Sequence, residues 1–246
     1  MFKTNDDVLV FAHRGASGHA FENTFTAFNK AVELGSNGIE IDLQLSKEGT
    51  AVVIHDYYLN RLVGINRRIN ECTLDEILQF KLGKPYRRFF SKLRIPLFAD
   101  VVEWANEHQV PLNVELKESF LKNKPSLIQL LDDLQLPAGS HFSSFHLELL
   151  NVIKQYAPKF EVALIATRSL NWEQLSSLQF IDTIHASKKY YKQKNLDACM
   201  AAGKKLRIYG VNGSESYLVN PHEVIVGWIT DYPDKVIRMQ KRDVLR

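Results

Sequence analysis

Short runs rich in β-branched and aromatic residues alternate with stretches whose apolar positions recur every three or four residues, along nearly the whole chain. The strand-like runs are VLVFAH (8–13), GIEIDLQL (38–45), AVVIH (51–55), LNVELK (112–117), HFSSF (141–145), VALIAT (162–167), TIHAS (183–187), LRIYGVN (206–212) and GWITD (227–231). Among the helical stretches, FTAFNKAVELG (25–35) places Phe25, Phe28, Ala31 and Val32 on one stripe, with Gly35 as its stop. FADVVEWANEH (98–108), HLELLNVIKQY (146–156) and NLDACMAAG (195–203) follow the same rule. Repeated strand–helix alternation predicts a parallel sheet covered by helices.

Nine strand-like runs are one too many for an eightfold barrel. Only SKEGT separates 38–45 from 51–55. A parallel crossover needs about a dozen residues, whereas a short loop containing Gly49 suits a hairpin turn. Residues 51–55 should therefore run antiparallel to 38–45. Eight parallel strands remain, the count of a (β/α)8 TIM barrel, an α/β fold.

Residues 57–97 break the rhythm and are too long for a plain loop in a compact domain. Thr73 and Glu76 in TLDEILQF have capping-box spacing, which predicts a short helix. Arg61, Arg67, Arg68, Lys81, Lys84, Arg87, Arg88, Lys92 and Arg94 outnumber Glu71, Asp75 and Glu76 here. The segment is read as an insertion capping one face of the barrel, with a solvated decoration as the plainer alternative. No repeat, low-complexity tract or linker interrupts the 246 residues, so one domain is expected.

Composition narrows the class. With 45% hydrophobic and 24% charged residues the chain resembles an ordinary globular protein. A net charge of +3 is too small to argue for nucleic acid. Cys72 and Cys199 stand far apart and fit neither a disulfide framework nor a zinc site. MFKTNDDVLVF lacks a signal-peptide pattern, and no apolar run reaches the roughly 18 residues of a membrane span. A cytoplasmic protein with no stable membrane insertion is expected; nothing in the sequence sets its oligomeric state.

Candidate chemistry sits at strand ends, where a barrel of this kind builds its active site. The first strand ends in His13–Arg14, the second carries Glu40 and Asp42, the run 112–117 carries Glu115 and Lys117, and the hairpin strand ends in His55–Asp56. Glu40 and Asp42, at i and i+2, share a face. Ile39, Ile41, Leu43 and Leu45 fill the other face, so both carboxylates should point into the barrel, where unpaired charge is costly. A turn centred near Glu48 carries His55 back beside Ile41–Asp42. Three carboxylates without cysteine suit a hard divalent cation, Mg²⁺ or Ca²⁺. Arg14 suits a phosphate, and His13 with His55 suits an acid/base pair near neutral pH. Gly15 and Gly18 are expected to let the backbone approach a phosphodiester.

AHRGASG…FENTFTAF (12–28), GIEIDLQLSKEGTAVVIHD (38–56), RIPLFADVVEW (94–104), LNVELK (112–117), SSF (143–145), YGVN (209–212) and ITDYPD (229–234) together resemble the glycerophosphodiester phosphodiesterase family. The resemblance implies a (β/α)8 barrel with an insertion after the His-Asp motif. It implies His13 and His55 as the acid/base pair, Arg14 on the phosphoryl group, and Glu40, Asp42 and Glu115 on the metal. Lys117 would stabilise developing negative charge. The implied substrates are glycerophosphodiesters, cleaved to glycerol 3-phosphate and an alcohol. Two positions depart from the family pattern. Phe21 replaces the usual Pro before ENT, and Tyr209, followed by Gly210, replaces a usual Trp, which makes that pocket wall smaller and more polar.

Phe145 is a candidate apolar wall for the substrate, with core packing as the alternative, and Glu22 a candidate partner for a site residue. His185 is read as structural, and the basic tail KVIRMQKRDVLR as a surface helix. Two alternatives to the main activity stand beside it. One is a lysophospholipase D or phospholipase C-like enzyme acting on lipids; the other is an inactive barrel that binds phosphodiesters.

Overall fold

The computed structural model describes residues 8–242. The start of the amino-terminal stretch assessed for a signal peptide, and the last four residues of the basic tail, lie outside that range. Eight parallel strands close a barrel: β1 (Leu9–His13), β2 (Gly38–Leu45), β4 (Leu112–Leu116), β5 (His141–Ser144), β6 (Glu161–Ile165), β7 (Thr183–Ser187), β8 (Lys205–Tyr209) and β9 (Ile225–Thr230). β1 pairs with both β2 and β9, so the parallel sheet has no open edge. The helices are α1 (Phe25–Glu33), α2 (Leu74–Gln79), α3 (Phe98–His108), α4 (Lys124–Leu131), α5 (Leu147–Tyr156), α6 (Gln193–Ala201) and α7 (Pro233–Gln240).

The ninth run forms β3 (Ala51–Val53), shorter than the predicted 51–55 and antiparallel to β2 as the turn length requires. β1 pairs with Gly38, Ile39 and Glu40 of β2, while β3 pairs with Leu43, Gln44 and Leu45. β4 holds the opposite edge over Ile39–Leu43. β1 and β3 therefore share one edge of β2 and run toward each other. β1 stops at His13, opposite Glu40. Past β3, the amide of Ile54 donates to the carbonyl of Asp42. Two chain segments distant in sequence thus deliver His13 and His55 to neighbouring points on one strand.

All eight residues of β2 are buried. Ile39, Ile41, Leu43 and Leu45 pack in the core between barrel and helices, which leaves Glu40 and Asp42 inside. On α1 the buried face is Ala27, Phe28 and Ala31, and Val32 is 39% exposed. The stripe is thus rotated from the expected one, with Ala27 in place of Val32. α4 was not among the predicted helices. Leu127, Ile128, Leu130 and Leu131 spread apolar character around its circumference and blur the period. Proline in its first turn and the Asn123 cap fix its start. In the described part of the tail, α7 covers β1, and Gln240 donates to the carbonyl of Val8.

Toward the amino-terminal end, the barrel interior is polar. Arg207 is paired with Glu161, which also accepts a bond from Thr183. His141 and His185 are buried and meet edge to face at 5.4 Å. Burial, reinforced by Arg207, pushes His141 down to about 3 and His185 well below its ordinary value. His185 is therefore an interior residue of the barrel wall.

The insertion has its own apolar cluster. Val52, Ile54, Leu59, Leu62, Ile69 and Ile77 are at its centre, and Phe21 packs against it. Thr73 and Glu76 form the expected capping box on α2. Cys72 and Cys199 are free and buried. No described helix is long and apolar enough to cross a membrane.

Candidate active site

Arg14 follows the last residue of β1 and has a left-handed backbone, φ 56°. A non-glycine residue there stores strain of about 1–2 kcal/mol. The turn aims its amide at Glu40, whose Oε2 accepts at 2.9 Å. The guanidinium lies between two carboxylates, with Nη1 2.8 Å from Glu22 Oε1 and Nε 3.1 Å from Asp42 Oδ2. Asn23, also left-handed, donates to Asp42 Oδ2 at 2.9 Å. Lys117 Nζ is 2.8 Å from Asp42 Oδ1 and is ion-paired with Glu115.

Glu40, Asp42 and Glu115 each present an oxygen within 4.8 Å of the others. Burial would raise Asp42, but Lys117 and Arg14 outweigh it and hold Asp42 far below the carboxylate range. Burial and the Asp42 charge push Glu115 up to about 7 despite Lys117, and Glu40 also moves up. The cluster is short of positive charge. Glu40 Oε1 is buried with no hydrogen-bond partner. An all-oxygen set with an orphaned, inward-facing carboxylate oxygen fits a hard cation.

The histidines have matching supports. His13 Nδ1 is 2.6 Å from Asp231 Oδ1, and its Nε2 is 4.0 Å from Glu40 Oε2. Burial would lower His13, but Glu40 and the Asp231 hydrogen bond raise it overall. His55 Nδ1 is 2.9 Å from Asp56 Oδ1. A carboxylate on Nδ1 fixes the proton there and leaves Nε2 as the free nitrogen. Arg61, from the insertion, donates to both oxygens of Asp56 and both oxygens of Glu22. A chain of contacts therefore runs from His55 through Asp56, Arg61 and Glu22 to Arg14.

Most of the expected residues meet here. His13, Arg14, Glu22, Glu40, Asp42, Glu115 and Lys117 form one connected network. His55, Lys117 and Phe145 line a single cleft with Tyr57, Tyr58 and Arg61. Phe145 is 44% exposed, so it is a wall residue and not core. Tyr209 is half-buried; burial raises its hydroxyl, and the nearby Glu115 charge adds to the rise.

Sequence reasoning missed Asp231, Asn23 and Arg61, and gave Asp56 no task. Asp231 follows β9 directly and obeys the strand-end rule that singled out His13. The glycines are corrected. A Cβ on Gly15 would lie 2.6 Å from the Ala27 backbone, and one on Gly18 would lie 2.3 Å from the Tyr232 ring. Gly15, at φ +77°, lets β1 turn against α1, and Gly18 makes room for Tyr232. Both clear space for packing within the protein.

The chain is similar to known proteins along nearly its whole length. The chain is 29% identical to a glycerophosphodiester phosphodiesterase of Caldanaerobacter subterraneus subsp. tengcongensis, over 95% of this chain and 98% of that one. It is 28% identical to a glycerophosphodiester phosphodiesterase of Bacillus altitudinis, over 94% and 98%. The solved structure of an Oleispira antarctica phosphodiesterase in complex with the product sn-glycerol-3-phosphate superposes with a TM-score of 0.81 at 26% identity, covering 97% of this chain and 100% of that chain. The profile of the glycerophosphoryl diester phosphodiesterase family matches residues 13–235, and the chain belongs to that enzyme family.

Proposed function

We propose that the chain hydrolyses glycerophosphodiesters to glycerol 3-phosphate and an alcohol, using His13 and His55 as the acid/base pair. The observation that carries this reading is the matched pair of histidines, each with Nδ1 held by its own aspartate, beside the buried carboxylates of β2. One Nε2 takes the proton of the nucleophile, either water or the glycerol 2-hydroxyl, and the other returns a proton to the leaving alkoxide; by the second route water then opens the cyclic phosphate to glycerol 3-phosphate. Lys117 and Arg14 supply positive charge next to the phosphoryl position. Glu22 and Asp42 hold the Arg14 side chain in one orientation. Phe145 and Tyr209 form walls for the rest of the substrate.

Glu40, Asp42 and Glu115 would hold Mg²⁺ or Ca²⁺, which when bound polarises phosphoryl oxygens. Two buried free thiols fit a reducing compartment, the cytoplasm. The test is release of glycerol 3-phosphate from glycerophosphocholine, glycerophosphoethanolamine and glycerophosphoglycerol, run beside their lyso-lipid forms. Chelation of divalent cations should abolish turnover. His13→Ala and His55→Ala should each lose on the order of 100-fold or more. Near-normal rates in either variant would refute that histidine's role. Faster turnover of lyso-lipids would move the substrate class to lipids.

A further inference from the structure

The insertion carries a surface that the proposed chemistry does not use. Tyr86, Phe89 and Phe90 are 72%, 77% and 83% exposed. They project from residues 84–92, whose tip is the 3-10 turn Arg88–Phe90. Single exposed apolar residues are ordinary, but three aromatics together on one tip call for a physical account.

The charge around them has one sign. From residue 77 to 99 the chain contains Lys81, Lys84, Arg87, Arg88, Lys92 and Arg94 and no Asp or Glu. Among the described residues, none of these six has a carboxylate within ion-pair distance. Three of them build the hook. Lys81 donates to the carbonyl of Phe89, Arg88 to those of Gly83 and Arg61, and Arg94 to those of Ser91 and Leu93. Lys84, Arg87 and Lys92 are exposed beside the aromatics. The hook thus presents three exposed aromatic rings among cations that have no carboxylate partner.

Its position matters. A cleft beside the hook is lined by Lys84 and Arg87 on one side and by His19, Phe21 and Glu22 on the other. Glu22 is the residue that holds Arg14. The tip therefore stands next to the barrel mouth.

We propose that this hook is a docking site for an anionic lipid surface. Aromatic side chains enter the headgroup–acyl boundary, and cations beside them gain from negative surface charge. Three exposed rings flanked by cations suit that medium. Single-stranded nucleic acid is less well matched: Phe89 and Phe90 stand perpendicular to each other at 5.3 Å and Lys81 lies over the Phe89 ring at 5.2 Å, so the two rings offer successive bases no shared stacking platform. Docking would be peripheral and reversible, with the barrel mouth facing the headgroup layer.

The test is sedimentation of the full-length protein with vesicles of phosphatidylcholine, with and without phosphatidylglycerol. Binding should require phosphatidylglycerol and be reversed by high salt. Phe89→Ser with Phe90→Ser, and separately Lys84→Glu with Arg87→Glu, should each weaken it on the order of tenfold or more, since one cation near the surface is worth about fivefold. Both pairs are exposed, so thermal melts should match the parent, and turnover of free glycerophosphocholine should be unchanged. Vesicle binding is read without turnover, so its failure is distinct from failure of the proposed hydrolysis. Equal binding by parent and variants, indifference to phosphatidylglycerol, or preference for single-stranded RNA over vesicles would overturn the proposal.

Discussion

The paired histidines inside the barrel make stability depend on pH in a way that one substitution isolates. His185 is buried and neutral in the folded state, with its pKa well below the ordinary 6.5. Below that value the unfolded chain binds a proton that the folded chain refuses, so stability falls as pH falls. Above pH 6.5 the effect vanishes. At about pH 5 it reaches roughly 2 kcal/mol for one such histidine. Glu115, pushed up to about 7, works in the opposite sense: its folded form binds the extra proton, so it adds stability as pH falls from 7 toward its ordinary 4.5. The parent melting curve alone therefore mixes these two with the contribution of His141, which has the same sense as that of His185. His185→Gln removes the His185 contribution and leaves those of Glu115 and His141. At about pH 7.5 the variant should melt below the parent through lost packing. At about pH 5 the gap should narrow by roughly 2 kcal/mol, or about 4–8 °C for a chain of this size. Calorimetry of both proteins at the two pH values reads this directly. A gap that stays constant would mean that His185 is not held neutral and would refute the reasoning.

Three further outcomes follow from the geometry. Asp231→Asn keeps an acceptor for His13 Nδ1 but removes its charge, so kcat should fall about tenfold with little change in KM; Asp231→Ala should fall on the order of 100-fold. A KM effect alone, in steady-state kinetics, would show that Asp231 does not position His13. Glu40→Gln should weaken divalent-cation binding at least about tenfold by titration calorimetry, and unchanged affinity would remove Glu40 from the ligand set. Gly15→Ala combines left-handed strain with a clash against Ala27 and should cost about 2–5 kcal/mol. Gly210→Ala, at φ +80° with open space around it, should cost only the strain, about 1–2 kcal/mol; equal losses in denaturant melts would contradict the packing account of Gly15.

Strand count, the hairpin and the inward carboxylates were legible because each follows from local rules. Alternation fixes a face, and a five-residue linker fixes an antiparallel turn. Hence the place of His55 beside Asp42 could be read from 38–55 alone, and His13 followed from the strand-end rule. What escaped depends on packing across the fold. Asp231 reaches His13 only because β9 closes against β1, a pairing 218 residues apart. Arg61 was counted as one of many insertion cations, and nothing near it in sequence points toward Glu22. Gly15 and Gly18 were assigned to a ligand because a glycine's neighbour across space is invisible in one dimension. Val32 was placed inside because a stripe drawn on nine residues has no sharp edge.

The insertion, with its separate apolar cluster and its Arg61 clamp, would give the molecule two thermal limits instead of one. A region with its own small core can open while the closed barrel keeps its ladder of hydrogen bonds. Such opening would withdraw Arg61 from Asp56 and Glu22 together, loosening the supports of His55 and Arg14 in one step. Heat would then silence the enzyme reversibly, through a partly open form that amide hydrogen exchange would detect, before the barrel itself melts.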